Sequence, residues 1–211
     1  QTNLLKIYGE ITTVQGKHKL QLNSPRLSRE QQLWNNHKMP LYTRTGDDGT
    51  TGVIGGGRIE KDSDRMHAVG DVDELNAALG MAKDETLQPL QAILFELGAD
   101  LASEVEQYRI TKSDINLIED WIDQVDKENK PLKTFVLPGG GASAAQLHYA
   151  RTVCRRAERN VVTLHRGGGC TTEAIVLLNR ISDLLFAMAR QANKQDGVVD
   201  IPWTPREKDL T

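Results

Sequence analysis

The chain has 211 residues, of which 38% are hydrophobic and 26% charged, so it can bury the core of one ordinary domain. No uninterrupted apolar run approaches the roughly 20 residues that a membrane-spanning helix requires. The net charge of -3 is uneven, because residues 1–40 carry six lysines and arginines against two glutamates, whereas the remainder carries 20 basic and 27 acidic residues. An acidic body argues against nucleic-acid binding, which needs a concentrated positive face, so we expect neither a nucleic-acid nor a membrane partner.

Residues 1–38 differ in composition from the rest and predict a leader or extension of uncertain origin, followed by one domain over residues 39–211. The first segment is polar and weakly periodic. A vector-derived leader, a natural extension and the remnant of an organelle-targeting segment all remain open. The segment lacks the Arg/Ser-rich amphipathic face and the apolar core of the usual signals, which favours a leader outside the chemistry.

From residue 64 onward the apolar residues recur every three or four positions, which indicates amphipathic helices. The pattern predicts four or five long helices, over residues 64–84, 86–107, a segment opening at Ser113 and Asp114, residues 142–166 and residues 171–195. Pro-Gly-Gly-Gly at 138–141 and three glycines at 167–169 separate the later segments, and only residues 134–137 have a strand-like pattern. Long helices joined by short breaks predict an all-α antiparallel bundle.

A loop rich in glycine and threonine, residues 43–57, precedes the first helix. Glycines let the backbone approach a ligand closely, and free N–H groups with threonine hydroxyls can surround phosphate oxygens. Lys61 follows and can supply a point charge to phosphate. The loop lacks the Gly-Lys-Ser/Thr of a nucleotide-binding P-loop, and a flexible loop without a ligand is equally consistent with its composition.

Arg151, Arg155 and Arg159 recur every four residues and therefore share one face of a predicted helix, with Glu158 near enough to orient Arg155. A stripe of arginine alone suits bidentate contacts with phosphate or carboxylate. An exposed charged face or salt bridges between subunits are the alternatives.

Two further polar groups interrupt apolar helices. Asn179 and Asp183 lie one turn apart, and such groups either bond to neighbouring helices or line a site. The acidic residues Asp71, Asp73 and Glu74 could form a metal or general-base site, although an arginine partner explains them more simply. The histidines show no metal-ligand spacing and no nucleophile motif occurs, so the chemistry should rest on the substrates.

Several sequence blocks together resemble the PduO-type ATP:cob(I)alamin adenosyltransferases, also called corrinoid adenosyltransferases. The blocks span Thr43–Thr51, Arg58–Asp62, Gly70–Asn76, Phe135–Gly140, Cys154–Arg159 and Leu178–Asp183, in the order and spacing of the family. The resemblance implies a five-helix bundle assembled as a homotrimer, with active sites between adjacent subunits. It also implies transfer of the 5′-deoxyadenosyl group of ATP to cob(I)alamin, which gives adenosylcobalamin and triphosphate.

The resemblance also assigns roles to individual positions. Arg155, Phe135 and Lys61 would be catalytic, Phe135 and Phe186 would line the corrinoid, and Asp73 would pair with Arg151 across the subunit interface. The ATP site would comprise Thr43, Arg44, Thr45, Gly46, Thr51, Gly52, Lys61, Arg155, Arg156, Ala157, Glu158, Arg159 and Asn179. Mg²⁺ would be held mainly by the ATP phosphates, with Asn179 nearby. The segment Ile201–Trp203 resembles a tail that becomes ordered near the corrinoid.

Such an enzyme would work in the cytoplasm, or in the mitochondrial matrix if the source is eukaryotic. Its partners would include a corrinoid reductase and an adenosylcobalamin-dependent mutase or dehydratase. A non-catalytic module that binds ATP or adenosylcobalamin and delivers it elsewhere would use the same binding residues. A phosphotransferase built on the glycine loop is a further alternative, and it would release ADP instead of triphosphate.

Overall fold

The computed structural model describes the backbone of residues 9–14 and 17–22, and both backbone and side chains over residues 42–82 and 84–205. Five α-helices dominate the described residues: α1 (Asp64–Met81), α2 (Gln88–Leu101), α3 (Lys112–Asp126), α4 (Ala142–Arg166) and α5 (Thr172–Gln195). The predicted all-α bundle is confirmed, and all five helices begin within two residues of the expected positions.

The second helix is shorter than its apolar pattern suggested. A short 3-10 turn at Glu85–Leu87 precedes α2, and the helix ends at Leu101. Val105, which the periodicity placed on the buried face, lies beyond the helix and is exposed. The residues directly after the helix pair with Ile54, whose N–H donates to the Ala102 carbonyl and whose carbonyl accepts from the Glu104 N–H, both at 2.9 Å. Further along, the buried Asp100 carboxylate accepts hydrogen bonds from the backbone N–H groups of Arg109 and Ile110 at 2.7 and 2.9 Å.

The core is a single cluster to which all five helices contribute. Helix α1 packs against α2 and α4, α4 packs against α5, and α5 packs against α3. The fully buried side chains are large and apolar, and include Leu75, Leu79, Leu94, Leu97, Ile118, Trp121, Leu177 and Leu178. Burial of this surface is the main stabilising term, as each fully buried leucine or isoleucine contributes about 1.5–3 kcal/mol.

Two small antiparallel hairpins accompany the bundle and were not predicted. Strands β1 (Gly9–Val14) and β2 (Lys17–Leu22) pair within the segment expected to be a leader, whose other residues fall outside the described ones. Strands β3 (Thr50–Gly52) and β4 (Arg58–Glu60) pair with Thr50 opposite Glu60. Three-residue strands are too short for alternation of polar and apolar residues to identify them.

The two cysteines are buried and free, and the Cys154 thiol donates to the Leu178 carbonyl at 3.2 Å. Burial raises the pKa of both thiols, which fits packing residues and not reactive ones. Among the described residues, no helix is both long enough and apolar enough to cross a membrane.

Candidate functional site

The glycine-threonine loop is folded by two cations from the β3–β4 hairpin and the turn after it. The Lys61 ammonium donates to the carbonyl of Gly46 at 2.6 Å, and Arg58 donates to the carbonyl of Thr45. Arg58 also donates to the Thr50 hydroxyl at 2.7 and 3.0 Å. Because Arg58 and Lys61 bind these carbonyl oxygens, the conformation of the loop is held by contacts within the chain.

The loop leaves its first residues exposed. The Thr43 and Thr45 hydroxyls lie 2.8 Å apart, and Arg44 between them has a φ of +61°, a conformation that few non-glycine residues adopt. Gly46 is sterically required, since a Cβ there would lie 2.9 Å from the Thr50 carbonyl oxygen and 3.1 Å from the Lys61 nitrogen. A left-handed residue in an exposed loop that carries hydroxyl groups fits a ligand-binding segment.

Helix α4 presents the predicted arginines in different environments. Arg155 and Arg159 are exposed and pair with no carboxylate among the described residues, although Arg159 donates to the Arg155 carbonyl at 2.8 Å. Arg151 is half-buried, and its guanidinium lies 5.7 Å from the centre of the Phe186 ring. The arginine face of α4 therefore carries two exposed guanidinium groups, Arg155 and Arg159, that are suited to bidentate phosphate contacts.

Arg156 turns instead toward α1, where it forms ion pairs with Asp71, at 3.3 Å, and with Glu74. Asn160 donates to the other Asp71 oxygen at 2.7 Å. The simpler explanation of the acidic group, an arginine partner, is thus confirmed for these two carboxylates. The ATP-binding role of Arg156 stays a prediction.

Asn179 joins α5 to α4 by donating to Glu158 at 3.3 Å, and its own side-chain oxygen accepts from Arg180 at 2.9 Å. Glu158 therefore orients Asn179, not Arg155 as its spacing suggested. Ala157 is buried between these helices, while Asp183 is exposed.

Buried polar atoms without partners surround Phe186. His148 is 3% exposed, its ring lies 6.0 Å from the Phe186 ring, and neither ring nitrogen has a hydrogen-bond partner within the part of the chain that the structure describes. The same holds for the buried Arg151 Nε atom. Burial and the Arg151 charge lower the pKa of His148, and burial with the Arg155 charge lowers that of Arg151.

Phe135 lies on a short two-stranded ribbon, defined here as residues 135–137 with residues 201–203. Val136 pairs with Pro202, the Leu137 N–H donates to the Ile201 carbonyl at 2.9 Å, and the Trp203 N–H donates to the Phe135 carbonyl at 2.8 Å. Because strand residues alternate between faces, one face of the ribbon carries Phe135, Leu137, Ile201 and Trp203. All four are exposed, Phe135 by 77%, so the ribbon displays a contiguous apolar face.

The structure brings together Asn179 with Glu158, Arg151 with Phe186, and Lys61 with Gly46. It shows no hydrogen bond or ion pair, among the described residues, between the loop and the arginines of α4. Thr51 and Gly52 lie on β3, and Asp73 is exposed on α1. Sequence reasoning missed Arg58 as an organiser of the loop, because its main partners are a backbone carbonyl and a hydroxyl that no residue pattern marks.

The sequence model of the cobalamin adenosyltransferase family matches residues 41–192, which include the loop, the α4 arginines, Phe135 and Asn179. The chain belongs to this family. The prediction from the sequence blocks is therefore confirmed: the protein is an enzyme that adenosylates a corrinoid with ATP.

Individual relatives agree with the family match. The corrinoid adenosyltransferase of Bacillus subtilis is 41% identical over 179 residues, covering 78% of this chain and 92% of the relative, and that of Citrobacter freundii is 44% identical over 163 residues, covering 71% and 93%. Among solved structures, a variant PduO-type ATP:corrinoid adenosyltransferase from Lactobacillus reuteri, complexed with cobalamin and ATP, is 33% identical with a TM-score of 0.73. That likeness covers 79% of this chain and 100% of the other.

Proposed function

We propose that this chain transfers the 5′-deoxyadenosyl group from ATP to cob(I)alamin, with the residues predicted above in the roles that their surroundings support. The observation that carries the proposal is the pair of exposed arginines on α4, Arg155 and Arg159, which form no ion pair among the described residues and lie beside the Glu158–Asn179 contact. Exposed guanidinium groups that are not engaged by carboxylates suit a polyphosphate, because they can form bidentate contacts with its oxygens.

ATP would lie against the exposed part of the loop, with its phosphates toward Lys61 and Arg155. The hydroxyls of Thr43 and Thr45, which bond to each other, and the guanidinium of Arg44 are exposed there, while Gly52 has open space beside it and allows close approach of the backbone. Lys61 already contacts the Gly46 carbonyl, so a phosphate would extend an existing polar contact.

Mg²⁺ would be held mainly by the phosphates of ATP. The described residues contain no group of three or more His, Cys, Asp or Glu side chains that could hold a metal alone. The oxygens of Asn179 and Glu158 are hard ligands of the kind Mg²⁺ accepts in ones or twos, so the donor set fits an ion shared with a nucleotide. Bound there, Mg²⁺ would neutralise charge on the phosphates.

The chemistry asks little of the protein beyond positioning. Cob(I)alamin supplies the electron pair that forms the Co–C5′ bond, the C5′–O5′ bond breaks, and triphosphate leaves with that bond's electrons. Arg155 and Lys61 stabilise the growing negative charge on the leaving group. Because cob(I)alamin is itself the nucleophile, the protein needs neither a nucleophilic side chain nor a general base to activate one.

The apolar face of the ribbon supports a corrinoid-binding role for Phe135, because a flat ring system matches an exposed patch of aromatic and aliphatic groups. Phe135 would occupy the lower face of the corrin and keep cobalt four-coordinate, which makes it easier to reduce. Phe186 would line the same pocket from α5.

A homotrimer would complete the site. Arg151 has a buried nitrogen without a partner among the described residues, whereas Asp73 is exposed, so a salt bridge between subunits would satisfy both. We place the enzyme in a reducing compartment, the cytoplasm or the mitochondrial matrix, supplied by a corrinoid reductase and serving an adenosylcobalamin-dependent mutase or dehydratase.

The test is product identification under anaerobic conditions. Protein, ATP, Mg²⁺ and chemically reduced cobalamin should yield a photolabile Co–C bond, followed by absorbance, and inorganic triphosphate, followed by ³¹P NMR. ADP as the phosphorus product would indicate a phosphotransferase. Binding of ATP without formation of adenosylcobalamin would leave only the delivery module.

A further inference from the structure

The ribbon that carries Phe135 borders an open pocket and is not part of the hydrophobic core. Its second face, which includes Val136 and Pro202, lines a pocket of about 640 Å³ together with Pro131, Leu132 and Val198. Packing against neighbours normally fixes a side chain to within fractions of an ångström. With a cavity on one face and an exposed surface on the other, the ribbon depends on other contacts for its position.

Those contacts come from the last turns of α5. Arg190 is only 8% exposed, and its guanidinium donates to the Asp200 carboxylate at 2.9 Å and to the Lys130 carbonyl at 2.6 Å. Asp200 directly precedes the second strand of the ribbon, and Lys130 opens the segment that leads to Phe135. A single buried side chain therefore attaches to α5 both the segment that leads to the first strand and the residue that precedes the second strand.

Asn193, 3% exposed and nearly one turn further along α5, secures the other end of the Phe135 segment. Its amide nitrogen donates to the Gly139 carbonyl and to Asp200, both at 3.1 Å, and its oxygen accepts from the Gly141 N–H at 3.0 Å. Gly140 has a φ of +111°, and a Cβ there would lie 2.0 Å from the Asn193 oxygen. The Pro-Gly-Gly-Gly segment therefore packs closely around the Asn193 side chain and also separates α3 from α4.

We propose that Arg190, Asn193 and Asp200 are positioning residues of the corrinoid site: they hold the ribbon, and with it Phe135, at a fixed height above α5. The proposal rests on the corrinoid-binding role of Phe135 proposed above. None of the three residues needs to touch a substrate. Together they form a closed set, because both Asp200 oxygens are occupied, one by Arg190 and the other by Asn193.

The decisive variant is Asp200→Asn. An asparagine can accept from only one of the two donors and turns an N–H group toward the other, so one anchor of the ribbon is lost. We expect kcat to fall about tenfold to a hundredfold, as a displacement near 1 Å at a reacting centre costs up to about a hundredfold. The KM for ATP should change by less than about twofold, since the phosphate-binding residues are elsewhere. The fraction of four-coordinate cob(II)alamin, measured by electron paramagnetic resonance with ATP present, should fall with kcat.

Asp100→Asn is the matched control. Asp100 is also buried and paired with an arginine, Arg109 at 2.9 Å, and also anchors a loop to a helix, but it lies outside the segments that form the ribbon. Its variant should lose thermal stability while keeping the wild-type kcat and spectrum. Asp200→Glu, which retains both acceptor oxygens, should recover most of the four-coordinate fraction.

A drop in melting temperature of Asp200→Asn with wild-type kcat and spectrum would overturn the proposal, and so would equal spectral changes in the Asp100→Asn control. If Asp200→Asn does not fold, Arg190→Lys keeps the charge opposite Asp200 but removes the second donor, and the same readouts apply. Wild-type protein that forms no adenosylcobalamin would refute the proposed function itself, whereas the comparison of variants with an active wild type tests the positioning role alone.

Discussion

Replacing the adjacent residues Arg155 and Arg156 with alanine, one at a time, separates a substrate-binding arginine from a structural one on a single turn of α4. Arg155 is exposed and has no partner among the described residues, so its loss should change the free energy of unfolding by no more than about 0.5 kcal/mol. If it stabilises the leaving triphosphate, the barrier should rise by about 2.7–4 kcal/mol, which lowers kcat about 10²- to 10³-fold.

The Arg156→Ala variant should behave in the opposite way. Its guanidinium pairs with Asp71 and Glu74, and its side chain is 42% exposed, so solvent screens the interaction. Pairs of this exposure contribute about 0.2–1 kcal/mol each, so we expect a loss near 1 kcal/mol. In a protein of this size that corresponds to a fall in melting temperature of about 2–4 °C. Because this guanidinium is already engaged, the KM for ATP should change less than in Arg155→Ala.

Two measurements on each variant decide the matter: thermal unfolding by circular dichroism, and anaerobic formation of adenosylcobalamin followed by absorbance. The reasoning is refuted if Arg155→Ala loses stability in proportion to its activity, or if Arg156→Ala keeps full stability and loses turnover. The first outcome would make Arg155 structural. The second would show that the ion pairs with α1 give way to the nucleotide.

The remaining predictions concern stability. Gly140→Ala should destabilise the protein well beyond the roughly 1–2 kcal/mol of a left-handed alanine, because its Cβ meets the Asn193 side chain, whereas Gly168→Ala, with a φ of +78° and open space, should show only that strain in urea titrations. Equal losses of stability in the two variants would contradict the close packing of residue 140 against Asn193. Burial and the Arg151 charge hold the pKa of His148 below its ordinary 6.5, so the unfolded chain takes up the proton first and stability should fall as the pH drops below about 6.5 toward the folded pKa. A His148→Phe variant should lose less melting temperature than wild type between pH 7.5 and pH 5, and an unchanged pH dependence would assign the effect to other groups.

Much of the fold could be predicted from the sequence because the information is local. Apolar residues every three or four positions mark a helix wherever it packs, and the glycine breaks at 138–141 and 167–169 fall between helices as expected. The end of α2 was less predictable: Val105 continues the apolar pattern, but the residues directly after Leu101 form hydrogen bonds with the distant residue Ile54 in place of the next helical turn. The strands at residues 50–52 and 58–60 could not be predicted, since so few residues carry no period.

The sequence by itself determined the residue types of the site and, through its ordered blocks, the family and the reaction. The tertiary structure decided which of those residues are free. Arg155 and Arg156 are adjacent in the sequence, and only the packing of α4 against α1 brings Arg156 to Asp71 and leaves Arg155 exposed. Arg58 and Arg190 escaped prediction for the same reason, because their partners include backbone carbonyls 13 and 60 residues away. Backbone carbonyls are present at every position, so only folding selects which of them a guanidinium will meet.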